Sequence, residues 1–80
     1  MTRTEAVKFV AHMLHINKEY EDKHPFMKAQ ERKDMREDLF MHVCKTLTDE
    51  GFSCSSVNRI WQEGCDLWAE EVGLIIKKGE

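Results

Sequence analysis

Eighty residues, 41% hydrophobic and 34% charged, suffice for one domain with a single core, and no apolar run is long enough to span a bilayer. A formal net charge of −3 excludes the global basic excess with which dedicated duplex binders neutralise phosphates, leaving a local patch for that role. Three cysteines at no repeating spacing, Cys44, Cys54 and Cys65, argue against a disulfide framework and for a reducing compartment, cytosolic or nuclear.

The opening Thr2-Arg3-Thr4-Glu5 has the form of a capping box, a hydroxyl residue followed three later by a carboxylate. Ala6, Val7, Phe9, Val10, Met13 and Leu14 then recur at helical spacing and predict a first helix over 4–19. Its inward stripe is Ala6, Phe9 or Val10, Met13 and Leu14. His12 and His15 stand three apart, a spacing that suits a metal, but no Cys or carboxylate cluster completes a tetrahedral set. Both are read as partly exposed helix histidines. The pattern breaks over 20–27, where Pro25 biases His24 away from helix. Tyr20 and Phe26 are expected to close this connection onto the core.

A second helix is predicted over 28–49. Its first half mixes both charges, and Lys28, Arg32 and Arg36 fall four apart to form a basic strip on a solvated face. In its second half Phe40, Val43, Cys44 and Leu47 make an apolar stripe that Met35 or Leu39 extends. Asp49-Glu50-Gly51-Phe52 predicts a stop, with Gly51 left-handed just past the helix and Phe52 folded back as the apolar contact. The restart within a few residues predicts a helix-turn-helix-like connection.

Ser53 or Ser55 caps a third helix that runs to Val72. Trp61 and Trp68, two turns apart, share a stripe with Val57, Ile60 and Val72, and both indoles are expected to enter the core. Gly64 inside this helix costs about 1 kcal/mol relative to Ala, so another backbone or ring is expected to approach closely there. The opposite face carries Gln62, Glu63, Asp66, Glu70 and Glu71, the wrong sign for DNA. Beyond Gly73, Leu74, Ile75 and Ile76 either continue the helix onto the first one or form an apolar anchor for a partner.

Motifs that carry chemistry are lacking. There is no glycine-rich phosphate loop and no CxxC pair, and His42 and Cys44, two apart on a helix, point to different faces. Cys44 lies on the apolar stripe, and Cys65 has no cationic neighbour to lower its pKa. No metal or cofactor is implied, and the chain is expected not to be an enzyme.

Phe40 to Leu47, with an aromatic followed by apolar residues at +3, +4 and +7, resembles the second helix of Myb/SANT-like domains of the MADF type. Val57, Trp61 and Trp68 are similar to that family's third helix, and Glu5-Ala6-Val7 and Tyr20-Glu21-Asp22 fit its first helix and linker. The resemblance covers nearly the whole chain. It implies an all-α, three-helix nuclear module over residues 1–80, often one part of a larger transcription or chromatin regulator. Members of the wider group bind DNA through helix three, and others bind proteins. This chain departs from the DNA binders: Arg59 is the only base from Val57 to Val72, and Gly64 stands where an apolar residue is usual.

Two functions follow as expectations. The first is a protein-interaction module whose contact set is Arg59, Gln62, Glu63, Asp66 and Glu70, with Leu74, Ile75 and Ile76 as the apolar anchor, for a basic protein partner. The second is a DNA-binding domain using Lys28, Arg32, Lys33, Arg36, Lys77 and Lys78 on phosphates, with Asn58 or Arg59 near bases. Homodimerisation through the apolar tail is a third arrangement, and no membrane partner is expected.

Overall fold

The computed structural model describes residues 1–73, which form three α-helices: α1 Arg3–Lys23, α2 Ala29–Asp49 and α3 Cys54–Glu71. No strand occurs among the described residues, and the arrangement is a three-helix bundle.

Each helix start reflects local chemistry. Thr2 caps α1: its side chain accepts from the Glu5 backbone N–H, and the Glu5 carboxylate accepts from the Thr2 N–H at 2.7 Å. The backbone N–H bond from Thr2 holds the Glu5 carboxyl below the usual carboxylate range, with Thr2's side chain adding to it. Lys28 occupies the N-cap of α2 without a side-chain hydrogen bond. Ser53 caps α3, accepting from the Ser56 N–H at 3.2 Å.

The α2 stop follows the sequence prediction. Gly51 adopts φ 100°, the Gly51 N–H donates to the Thr48 carbonyl at 2.9 Å, and the Phe52 N–H donates to the Leu47 carbonyl at 3.2 Å. This pair of bonds satisfies two carbonyls that the helix end would otherwise strand. Phe52 then packs on the core, as expected.

Helix α1 runs a turn beyond its predicted end. Pro25 restricts only His24, and Lys18 to Asp22 and Asn17 to Glu21 supply i, i+4 pairs that carry the helix to Lys23. The aromatic lids expected over the following connection are absent. Phe26 is 97% exposed and Tyr20 45% exposed, the latter stacked on His24 with centroids 4.0 Å apart. With α1 extended, Phe26 lies in the connection beyond it, clear of the core, and Tyr20 sits at the rim of a shallow cleft between α1 and α2 with Met13, Ile16, Met35 and Leu39.

The fully covered core is made of aliphatic side chains: Ala6, Val10 and Ala11 from α1, Val43 and Leu47 from α2, and Val57 and Ile60 from α3. Helices α1 and α3 make the most extensive contact, and α2 joins them through its second half, where its buried residues lie. The close α1–α3 approach occurs at Gly64. A Cβ built there would stand 2.3 Å from Val10 Cγ1 and 2.4 Å from Val10 Cβ. The close neighbour at this glycine is the aliphatic side chain of Val10, with the Val7 backbone carbonyl 3.2 Å from the built Cβ, and no ring is among its nearest atoms.

The two tryptophans do not fill the core. Both are half-buried and flank it, because the Gly64–Val10 approach leaves room between α1 and α3 only for small and branched side chains. Trp61 packs against the aliphatic cluster from the α2 side, edge-on to Phe40 with centroids 4.8 Å apart and planes at 85°. Phe40, expected to be buried, stays 37% exposed.

The first half of α2 is tied to α1 by polar contacts. Arg36 donates to Glu21 through Nη2 at 3.0 Å and Nε at 3.3 Å, and Asn17 donates to the same carboxylate at 2.6 Å. The Arg36 guanidinium holds the Glu21 carboxyl below the usual range, although burial works the other way. A carboxyl with a lowered folded pKa adds stability that is present above its unfolded pKa and is lost as pH falls through the folded value. Arg36→Ala is therefore expected to lower stability by about 1 kcal/mol at neutral pH, and the gap to wild type should close below about pH 4. Thermal melts of both proteins across that range check it.

Candidate functional site

Two surfaces of opposite character lie on either side of α3. The outward side of α3 exposes Asn58, Arg59, Gln62, Glu63, Asp66 and Glu70. The opposite side packs through Val57, Ile60 and Gly64, so the polar residues share one face by helical spacing. One base stands against three carboxylates there. The structure thus brings together the five polar residues expected to bind a partner. Glu63 is also engaged within the domain, accepting from Arg3 of α1, a pair about half exposed on both sides. Leu74, Ile75, Ile76, Lys77 and Lys78 lie outside the described residues.

The second surface is a groove of about 800 Å³ between α2 and α3, lined by Ala29, Arg32, Lys33, Arg36, Glu37, Phe40, Met41 and Trp61. It unites three of the cations expected to contact phosphates with an apolar floor that the sequence reading did not anticipate. Lys28 is exposed at the α2 N-cap, while Asn58 and Arg59 sit on the other surface and do not line the groove. Arg36 is bonded to Glu21, and Arg32 Nη2 reaches the Pro25 carbonyl at a long 3.5 Å. Arg32 Nε is buried without a hydrogen-bond partner.

Met41 and the exposed edge of Phe40 are the functional candidates the sequence reading missed. Their signal was present: Ala29, Arg32, Lys33, Arg36, Glu37, Phe40 and Met41 recur three and four apart along a single face of α2. Assigning Phe40 to the core hid that face.

His12 and His15 lie in a different cleft, with Lys8, Leu67, Trp68 and Glu71 around them. His15 pairs with Glu19 at 2.8 Å, and no group of three or more His, Cys, Asp or Glu that could hold a metal ion occurs among the described residues. The cysteines are free. Burial raises the Cys44 thiol pKa, and burial followed by the Asp66 charge raises that of Cys65, so neither is an activated thiolate.

Comparison of the chain with protein-family models, with curated protein sequences and with solved structures gives no match. No helix among the described residues is long and apolar enough to cross a membrane.

Proposed function

We propose that this chain is a protein-interaction module that offers the acidic outer face of α3 to a basic protein partner. The observation that carries the reading is the contiguous exposed set Arg59, Gln62, Glu63, Asp66 and Glu70 on a helix whose other side is committed to packing. Charges arranged in this way steer a partner and reject like-charged ones more than they add affinity. The residue spacings that resemble MADF-type Myb/SANT-like domains support placing the module in a nuclear transcription or chromatin regulator. A binding role rather than a catalytic one belongs to the same proposal.

The test is fluorescence anisotropy of a labelled Lys/Arg-rich helical peptide titrated with wild type and with the double variant E63K/D66K. Charge reversal is expected to weaken binding about tenfold or more. The fold should survive, because an exposed pair such as Arg3–Glu63 is worth about 1 kcal/mol or less. Equal binding by the two proteins removes α3 from the site.

A second reading, DNA binding, draws on the clustering of Arg32, Lys33 and Arg36 at one groove. Its weakness is that Arg36 already serves Glu21 and that the four carboxylates Glu63, Asp66, Glu70 and Glu71 on α3 would repel phosphates. A gel-shift titration with random duplex at low salt discriminates: tight binding that falls steeply with added salt replaces the first reading by the second.

A further inference from the structure

The groove between α2 and α3 is distinct from the acidic α3 face and has a chemistry of its own. Along α2 its lining changes character from end to end. Arg32, Lys33 and Arg36 occupy the N-terminal part, whereas Phe40 and Met41 lie at the C-terminal part, opposite Trp61 of α3. From Ala29 to Met41 this face extends about 18 Å at 1.5 Å per residue, the length of a helix of about 12 residues. Met41 is 67% exposed, and Phe40 contributes its ring to the same open floor.

We infer that this groove is a docking surface for an acidic amphipathic helix of a protein partner. The apolar side chains of that helix rest on Phe40, Met41 and Trp61, and its carboxylates face Arg32 and Lys33. The charge complementarity is local and specific. Glu37 is the one carboxylate among the groove's lining residues, against Arg32 and Lys33, with Arg36 already paired to Glu21. Arg32 makes only a long hydrogen bond within the domain, 3.5 Å from Nη2 to the Pro25 carbonyl, which leaves its guanidinium to meet a carboxylate. The start of α2 at the cationic end lacks a side-chain cap, which adds unpaired backbone N–H groups to the positive field.

Other occupants fit less well. Duplex DNA offers phosphates to the cations but nothing that covers Met41 and Phe40. A second copy of this chain could present its acidic α3 face, but none of the large hydrophobics exposed among the described residues lies on α3, so that face lacks apolar anchors. A foreign helix carrying both chemistries meets both ends of the groove.

The proposal goes beyond the α3 reading, and the experiment separates the two. The probe is a fluorescein-labelled helical peptide of about 14 residues. Leu and Phe occupy one face of its first two turns, and Glu and Asp occupy that face beyond them. The control peptide has Lys in place of every acid. The intact chain is titrated into each, as are the variants M41D, R32E/K33E and E63K/D66K, with circular dichroism and melting recorded for all.

The acidic peptide is expected to bind wild type, M41D and R32E/K33E should each weaken it about tenfold or more, and the Lys peptide should not compete for the groove. E63K/D66K should leave acidic-peptide binding unchanged, whatever it does to a basic peptide. Several results overturn the inference: equal affinity of wild type for both peptides at the groove, indifference to M41D and R32E/K33E when both are folded, or displacement of the acidic peptide by random duplex at lower concentration than by unlabelled peptide. Light scattering that reveals a dimer abolished by M41D also overturns it, since the groove would then be filled by a second copy. Should R32E/K33E fail to fold, M41D and the peptide control on wild type still decide the matter.

Discussion

Gly64→Ala is expected to destabilise this domain, although helix propensity alone predicts the reverse. Ala in place of Gly in a helix interior is worth about 1 kcal/mol in favour of the variant. Against this, the new Cβ would meet Val10 Cγ1 at 2.3 Å, Val10 Cβ at 2.4 Å and the Val7 carbonyl at 3.2 Å. Val10 is fully buried in α1, and its Cβ is fixed by the helix backbone, so no rotamer change relieves the overlap. Only a separation of α1 from α3 does, which opens the most extensive helix contact of the fold. Overpacking of this kind costs about 1–3 kcal/mol, and the rigid side of the clash places it at the upper end or beyond. A net loss of roughly 2 kcal/mol lowers the melting temperature by about 10–15 °C for a domain of this size. The double variant V10A/G64A should not recover wild-type stability, since the Cβ of residue 10 remains in the way. A melt of Gly64→Ala at or above wild type would show that α1 and α3 do not meet at this point.

Leu47→Ala is expected to have the other large effect. Leu47 is fully buried near the end of α2, among side chains from all three helices, and is among the largest such side chains in the core. Truncation removes the transfer free energy of its methyl groups and leaves a cavity, together costing about 2–5 kcal/mol. The described body spans only 16 Å along its shortest axis, so its core is thin and has little surrounding mass to collapse into the hole. Total stability for a chain of this length is about 4–12 kcal/mol. The variant should therefore melt roughly 10–25 °C lower, or be partly unfolded at room temperature. Leu47→Met, which keeps volume, is expected to cost less than about 1.5 kcal/mol. Chemical denaturation of the three proteins checks the ranking, and similar midpoints for Leu47→Ala and wild type would contradict the core described above.

The two effects bear on the interaction surfaces as well. Leu47 and Val43 anchor the second half of α2, and this anchoring sets where its first half projects. Gly64 sets how near α3 stands to α1, and so where Trp61 is presented to α2. A loss of packing at either position should loosen the groove before the acidic α3 face, which depends only on one helix remaining intact.

Local signals in the chain were sufficient for the start of α1, the stop of α2 and the start of α3, though not for the end of α1. The Thr2–Glu5 capping box, the left-handed Gly51 with Phe52 folded behind it, and the Ser53 cap each involve partners within five residues. Spacing alone likewise placed Ala6, Val43, Leu47, Val57 and Ile60 on inward stripes and left Phe9 or Val10 open, and the cost of a helical glycine pointed to a close neighbour at Gly64. Arg59, Gln62, Glu63, Asp66 and Glu70 were legible as one polar face for the same reason, because a helix fixes their mutual angles.

Which aromatic rings would be covered was not legible, since that depends on helices distant in sequence. Tyr20, Phe26, Phe40, Trp61 and Trp68 all carry enough apolar surface to enter a core. None does so fully: Val10 and Gly64 bring α1 and α3 too close together to admit the indoles of α3, and Tyr20, Phe26 and Phe40 stay exposed elsewhere on the surface. The excluded rings of Phe40 and Trp61 meet each other at the edge, beside cations carried on the same face of α2, and create a groove there. Caps and faces follow from neighbours along a helix; the groove arises from an interhelical distance that only packing establishes.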